Sequence, residues 1–370
     1  MALPLPVDYA AMEAKRVDAL PDGAEWQYEP KWDGFRCLAF KDGAAIDLRS
    51  KAGQPLERYF PEIVAAMAAL PVARCVLDGE LVIPEHNALS FDELLLRIHP
   101  AASRVNALAD EHPAMLIVFD LLVDDAGTSL VKTPLVDRRA ALEEFAMAKL
   151  AGAGAIRLSP ATTAERTVKR WYASVGSALD GVIAKRRDLP YQSGARTGMQ
   201  KLKQKRTADC AVGGFRYASK ARVIGSILLG LYDEDGLLNH VGFCSGFSAA
   251  ERKKLTPKLE TLVGKPGFTG RAPGGPSRWS TERTGEWEPL KTKLVVEVEY
   301  DHFTGGRFRH GTGFLRWRPD KAPKQCTLKQ VEREASSSLL LLGAATRSAG
   351  KASGTPKSRR NAKKTTKKPR

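Results

Sequence analysis

The stretch EPKWDGFR, residues 29–36, sets Lys31 directly before a tryptophan and an Asp-Gly pair, with Arg36 just beyond. A lysine amine is a nucleophile only when neutral, so a reactive Lys31 needs nearby cations or a metal to lower its pKa. Asp-Gly is also a common hairpin turn, and lysine and arginine are ordinary surface residues. The fragment becomes informative only if the rest of the chain supplies partners. VLDGELVI (76–83) places Asp78 and Glu80 inside a strand-like run, where two acids either face a ligand or metal or mark a hairpin. LIVFDLL (116–122) carries Phe119 and Asp120 in a long apolar strand, with core packing the plain reading of Phe119. LDGVIAKR (179–186) sets Asp180 and Lys185 around another apolar strand. QKLKQK (200–205) alternates Lys201 and Lys203, so a strand points both to one face, as a phosphate cradle or as a solvated edge. FLRWRPDK (314–321) alternates Arg316 and Arg318, then adds Asp320 and Lys321; its bland reading is an exposed arginine ladder.

These residues need elements to hold them. Up to about residue 208 the pattern alternates strands (35–40, 44–49, 75–83, 115–122, 181–185) with helices (61–70, 91–98, 134–149, 163–175). Pro61 suits the first turn of a helix, and Ser90 with Glu93 fits a capping box. Strands outnumber helices and several read as antiparallel, so the class is α+β rather than a doubly wound sheet. From 210 to about 333 short strands and glycine turns dominate, with one helix at 248–263. About five strands and a helix suggest a small barrel, best matched by an OB-fold. Beyond about 335 the chain turns Ser, Ala, Lys and Arg rich, the composition of a tail that is disordered when unbound. The expected division is therefore 1–208, 209–335 and a tail at 336–370.

The net charge of +16 is uneven. Residues 345–370 hold ten Lys or Arg and no acid, leaving a milder +6 on the rest of the chain. That pattern points to a polyanion, with nucleic acid ahead of an acidic membrane surface. No apolar run spans a bilayer, and LLLLGAA (339–345) is too short. The start shows no charged leader followed by an apolar core, so no signal peptide is expected. Five scattered cysteines without a C-x-x-C pair argue against a zinc site or disulfide framework and fit a reducing cytoplasm.

Each segment has a dull explanation, but their order does not. Lysine, acidic strand, aromatic strand, acidic strand, paired lysines and a terminal R-x-R-x-D-K form the ordered motif set of the covalent nucleotidyltransferases. Over about residues 20–330 the chain resembles ATP-dependent DNA ligases. It is most similar to the short bacterial ligase C type, an adenylation (nucleotidyltransferase) domain plus an OB domain, and its length leaves no room for a fused primase. The resemblance implies that Lys31 attacks the α-phosphate of ATP, that AMP passes to a 5′-phosphate at a nick, and that the 3′-hydroxyl then seals the strand. It implies Lys201 and Lys203 at the α-phosphate, with Arg36, Arg49 and Arg196 as nucleotide or phosphate contacts. Glu80 and Asp180 would bind Mg²⁺, with Mn²⁺ the alternative, and Glu80 would also touch the ribose. Asp33 would arrange the metal and the 3′-hydroxyl. Phe119 would stack on adenine, and Glu29 would read it by hydrogen bond. Arg316, Arg318, Asp320 and Lys321 would close over the β- and γ-phosphates in the first step.

Two positions depart from the family pattern: Asp180 stands where glutamate is usual, and Met199 where tryptophan is frequent. The implied partner is nicked double-stranded DNA, bound by a monomer in the cytoplasm at the nucleoid, in DNA repair. Nothing in the sequence identifies a repair polymerase partner. DNA contact is expected from FRYASKAR (215–222), from GGRFRHG (305–311) and from the basic tail. RNA ligases and GTP-dependent capping guanylyltransferases share the lysine and barrel, but the R-x-R-x-D-K ending and the FDLL strand favour a DNA ligase. A non-catalytic DNA-binding protein of the same fold would have no need to keep Lys31, Glu80, Lys201 and Lys203.

Overall fold

Three sheets organise the chain in a computed structural model that describes residues 3–85, 88–152, 154–175, 178–204, 206–219, 221–274, 286–332 and 338–342. The five-stranded sheet runs in the order Ala45–Ser50, Phe35–Asp42, Arg74–Val82, Met115–Val123, Ile156–Leu158. The four-stranded sheet runs Lys15–Val17, Met199–Lys203, Gly181–Arg186, Trp26–Pro30. Pairing in these two is antiparallel except at one edge of each, where Lys15–Val17 and Ile156–Leu158 join in parallel. The α+β reading with mainly antiparallel sheets holds.

Local chemistry explains most of the element boundaries. Pro61 opens the Pro61–Ala68 helix, where its missing N–H costs nothing. Ser90 Oγ accepts from the Glu93 N–H at 3.3 Å, so the expected capping box forms on its serine side. The Glu165–Val175 helix buries Val168, Trp171 and Val175, one face at helical spacing. The Ala102–Glu111 helix and the three-residue edge strands went unanticipated. That helix starts at Ala101 with no side-chain cap, and three residues are too few to show alternation.

Both Asp-Gly pairs escape the hairpin reading. Asp78-Gly79 lies within the Arg74–Val82 strand, which pairs on both sides. A Cβ on Gly79 would sit 2.7 Å from the Ile117 carbonyl oxygen, so the close strand approach needs glycine. Asp33-Gly34 links the Trp26–Pro30 strand of one sheet to the Phe35–Asp42 strand of the other. A Cβ on Gly34 would meet the Leu81 carbonyl oxygen at 2.1 Å. The two sheets thus meet at the loop that carries Lys31.

The third sheet is ordered Leu238–Cys244, Ala221–Tyr232, Arg206–Ala218, Val295–Tyr300, Gly313–Trp317, with Glu288–Pro289 added to the Arg206–Ala218 strand. Helix Ala249–Glu260, opened by a full Ser248–Glu251 capping box, packs on the Ala221–Tyr232 strand. Phe215, Ile227, Leu229, Val241 and Val296 fill this core. A short hairpin, Phe303–Thr304 with Arg307–Phe308, turns on Gly305 and Gly306, both at positive φ.

The expectation of a disordered tail from 336 is corrected over 338–342. Ser338–Leu342 is a helical turn whose Leu341 is buried against Trp26, Trp32 and Trp171. Four consecutive leucines have an apolar surface to cover, and these aromatics supply the partner. The Lys/Arg-rich residues 347–370 lie outside the described residues. All five cysteines are free and buried, and no helix among the described residues is long and apolar enough to cross a membrane.

Asp120 serves the core rather than the pocket. Its carboxylate takes two hydrogen bonds from Arg138, at 2.9 and 3.0 Å, and both residues are buried. Breaking a buried ion pair from one side strands the other charge. Arg138→Ala should therefore cost about 3–5 kcal/mol in urea unfolding, while Asp120→Leu with Arg138→Met should recover most of that loss. A single-variant cost under about 1 kcal/mol would show that the pair carries little.

Candidate active site

A pocket rich in titratable side chains lies where the two N-terminal sheets meet. Glu29, Lys31, Arg36, Glu80, Phe119 and Lys201 line it, together with Lys51, Ile183, Lys185 and Met199. The first six of these, all singled out in the sequence, thus arrive from four separate segments.

Lys31 follows the Trp26–Pro30 strand, and its N–H donates to the Gly181 carbonyl at 3.0 Å. Its amine is ion-paired with Asp180. Gly181, the next residue, passes so close to the neighbouring strand that a Cβ would meet the Leu202 carbonyl oxygen at 2.1 Å. Asp180 also accepts from His302 Nε2 at 2.6 Å, and His302 Nδ1 lies 3.5 Å from Asp33. Arg309 closes the cluster with two bonds to Asp33, at 2.9 and 3.0 Å. His302 and Arg309 come from the C-terminal half. Thr304 is hydrogen-bonded to Asp92, and Lys203 reaches Asp301 at 3.1 Å, across the same junction.

These pairings set the electrostatics. Burial alone would lower the pKa of Lys31, but Asp180, with Glu80 and Asp33 behind it, more than offsets burial and raises it. The sequence argument required a lowered lysine; in this arrangement Lys31 is held charged instead. Burial likewise works against the Asp180 carboxylate, yet hydrogen bonds from His302 and Lys31 hold its pKa far below the usual range. Glu80 is different. Burial pushes its pKa up to about 7 despite the pull of Arg36 and Lys31. Lys201 is lowered by burial and by the charges of Lys31 and Lys203.

Phe119 forms the floor of a flat slot. The guanidinium of Arg36 lies 4.5 Å from its ring centroid and the Lys185 amine 4.4 Å from it. Arg36 is fixed by two bonds to Asp78, at 2.5 and 2.6 Å, and Asp78 also accepts from the Tyr191 hydroxyl at 2.6 Å. Glu29, 2% exposed, pairs with Lys185 at 2.8 Å and accepts from Gln27 at 2.8 Å. An aromatic face with a buried carboxylate at its edge suits a planar base that donates from its rim.

Several expected members stand elsewhere. Arg49 pairs with Asp47 at 2.6 Å, and the largely exposed Arg196 with Glu13 at 2.8 Å; neither lines the pocket. Lys203 is turned to Asp301. Arg318 and Lys321 both bind Asp209, at 2.9 and 2.7 Å, Asp320 holds Arg318, and Arg316 is paired with Glu297. All four residues of the R-x-R-x-D-K ending are therefore engaged within the C-terminal half. Conversely, Lys51, Lys185, His302 and Arg309 were not put in the site from sequence. Lys185 had a visible signal, since it lies two residues from Ile183 on one strand face. His302 and Arg309 had none, because only the docking of the two halves brings them in.

The carboxylates of Asp33 and Asp180 and the His302 ring have ligand atoms within 4.8 Å of one another. Glu80 and Asp180, the pair anticipated for a divalent cation, both face Lys31 electrostatically. Two carboxylates and an imidazole nitrogen around one point are a donor set that suits a divalent cation, and Lys31 and Arg309, now against the carboxylates, mark where positive charge is demanded.

Two family models match the chain: an ATP dependent DNA ligase domain over residues 11–203 and an ATP dependent DNA ligase C terminal region over 220–321. The DNA ligase C2 of Mycolicibacterium smegmatis is 45% identical over 358 residues, covering 91% of this chain and 98% of its own. The DNA ligase C of Mycobacterium tuberculosis is 44% identical over 356 residues, covering 92% and 98%. A solved Lig E DNA ligase aligns with a TM-score of 0.52 at 18% identity, over 84% of this chain and 99% of that one, which speaks to the fold alone.

Glu80 gives a pH-dependent signature. Its folded pKa, about 7, lies above the ordinary 4.5, so the native state holds the extra proton between those values. Stability therefore falls as pH rises through that window. Glu80→Gln should leave the melting temperature near wild type at pH 5 and raise it at pH 8, at the expense of activity. An equal shift at both pH values would show that the carboxylate is not strained by burial.

Proposed function

The chain belongs to the ATP-dependent DNA ligases, and from that premise we propose how its residues divide the work. As a member of that family it uses ATP, joins a 5′-phosphate to a 3′-hydroxyl at a nick through a lysyl-AMP intermediate, and serves DNA repair. The observation that carries the residue assignment is the pocket that gathers Lys31, Lys201, Glu80, Phe119 and Glu29 from distant segments.

In this reading Phe119 stacks on adenine while Glu29, oriented by Lys185, accepts from the base. Lys31 loses a proton and attacks the α-phosphate, forming the N–P bond as pyrophosphate leaves. Lys201, with Lys203, Arg36, Arg49 and Arg196 nearby, offsets charge on the phosphate oxygens. Asp33, Glu80 and Asp180 would hold Mg²⁺, with Mn²⁺ equally acceptable to oxygen ligands; the ion would supply charge compensation at the transferring phosphoryl group. The Lys31–Asp180 pair must part for the amine to become neutral.

We assign residues 1–208 to an adenylation domain, 209–335 to an OB-fold domain and the remainder to a basic tail. In the first step Arg316, Arg318, Asp320 and Lys321 would leave their partners in the C-terminal half and close over the β- and γ-phosphates. The OB domain would then turn the face carrying His302 and Arg309 toward the site as DNA enters. The working unit is a monomer on nicked duplex DNA in the cytoplasm, at the nucleoid.

Intact mass after incubation with ATP or GTP and Mg²⁺, without DNA, tests this. Wild type, first stripped of bound AMP with pyrophosphate, should gain one AMP from ATP, and Lys31→Ala should gain none. A GMP adduct would move the reading to capping chemistry, and no adduct would leave a binding protein. The tail makes a separate prediction. Truncation after Leu342 keeps the buried Leu341, and should weaken nick binding and flatten its salt dependence by several units of slope. An unchanged slope would make the tail idle.

A further inference from the structure

We infer that His240, Arg271 and Arg307 form a site for a backbone phosphate of DNA, a step or two along the strand from the sealing centre. The inference rests on the DNA ligase reading above and adds His240 and Arg271, with a phosphate as the specific ligand, to the GGRFRHG stretch expected to meet DNA.

His240, on the Leu238–Cys244 strand, is only 7% exposed, yet neither ring nitrogen has a hydrogen-bond partner. One edge is spoken for by Phe268, T-shaped at 5.3 Å. A buried ring with two unsatisfied nitrogens is costly and needs a reason. Its surroundings supply one. Burial, then the charges of Arg307, Arg216 and Arg271, push its pKa down to about 3. Arg271 is clamped in place by the carbonyls of Gly305 and His240, each at 3.3 Å, and of Gly306. Its own pKa is lowered by burial and by Arg307. Among the described residues no carboxylate pairs with Arg271 or Arg307. Elsewhere in this chain clustered arginines meet acids, as Arg36 meets Asp78 and Arg318 meets Asp209. Here Arg271 and Arg307 stand beside an orphaned imidazole with no carboxylate paired to either arginine, and a phosphodiester seated on the two guanidiniums can also take the imidazole N–H.

The position selects the ligand. Arg307 belongs to the hairpin whose Thr304 touches Asp92, and two residues on Arg309 grips Asp33 in the active site. Phe308 between them is buried, so strand alternation turns both arginines to the other side, about 7 Å apart. Phosphates recur about every 3.4 Å of helix rise along a strand. A strand with its nick at Asp33 therefore presents a phosphate to Arg307 within a nucleotide or two. Arg307 does not line the nucleotide pocket, which argues against the phosphates of ATP.

The test uses the full chain and a nicked duplex with a 5′-phosphate, with affinity measured across a salt series. Lysyl-AMP formation from ATP alone and the melting temperature serve as references for each variant. Relative to those, Arg307→Gln should weaken nick affinity about tenfold at low salt and reduce the salt slope by about one. His240→Phe, which keeps the packing on Phe268 but removes the nitrogens, should show a similar loss, and His240→Asn should restore part of it. Unchanged affinity and slope in Arg307→Gln would overturn the site. So would His240→Phe binding like wild type, which would make His240 a packing residue, or equal losses in nick affinity and lysyl-AMP formation. Absence of lysyl-AMP in the wild type would instead sink the ligase reading itself.

Discussion

The ion pair between Lys31 and Asp180 is the constraint around which the rest of the structure is arranged. A buried amine and a buried carboxylate can coexist only if each satisfies the other or finds a substitute. Here Asp180 has the Lys31 amine and the His302 ring as partners, and Asp33 has Arg309. Around them the backbone passes at contact distance, which is why Gly34, Gly79 and Gly181 stand where a Cβ would strike a neighbouring carbonyl. The loop bearing Lys31 is stitched to Gly181 by its own N–H, which ties Lys31 to the segment that carries its counterion Asp180.

This balance has two settings. With His302 and Arg309 in place, the carboxylates are satisfied by protein groups and Lys31 is held charged. In the proposed reaction Lys31 would lose its proton, and a metal with nucleotide phosphates would take over the positive charge. The R-x-R-x-D-K residues show the complementary arrangement. They are satisfied by Asp209 and Glu297 within the C-terminal half and so are free of the phosphates they would otherwise meet. The C-terminal half thus supplies partners both for its own R-x-R-x-D-K residues and, through His302 and Arg309, for the carboxylates beside Lys31.

Much of this was legible in the sequence because the relevant signals are local. Strand alternation placed Lys201 on a face, apolar runs around Asp78 and Phe119 announced central strands, and Pro61 and Ser90 marked helix starts. The paired acids of 76–83 were ambiguous for a physical reason: Asp-Gly is a turn signal, and only the close approach to Ile117 shows that glycine was needed inside a strand. What was not legible depends on docking. His302 and Arg309 flank a glycine-turned hairpin that reads as a loop, and Leu341 falls in the expected tail yet is buried in the cluster that holds Trp26, Trp32 and Trp171. Arg49 and Arg196 carry the right chemistry but have nearer acids, which composition does not reveal.

The aspartate at 180 also follows from the docked arrangement. The residue stands beside Gly181 at the start of a strand, buried between the amine of Lys31 and the ring of His302. A glutamate would carry its carboxylate about 1.5 Å further from the backbone. With both partners already at hydrogen-bonding distance, that extra methylene would have to fold back or displace one of them. The shorter side chain is therefore matched to a site in which the histidine arrives from the other half and closes the remaining distance.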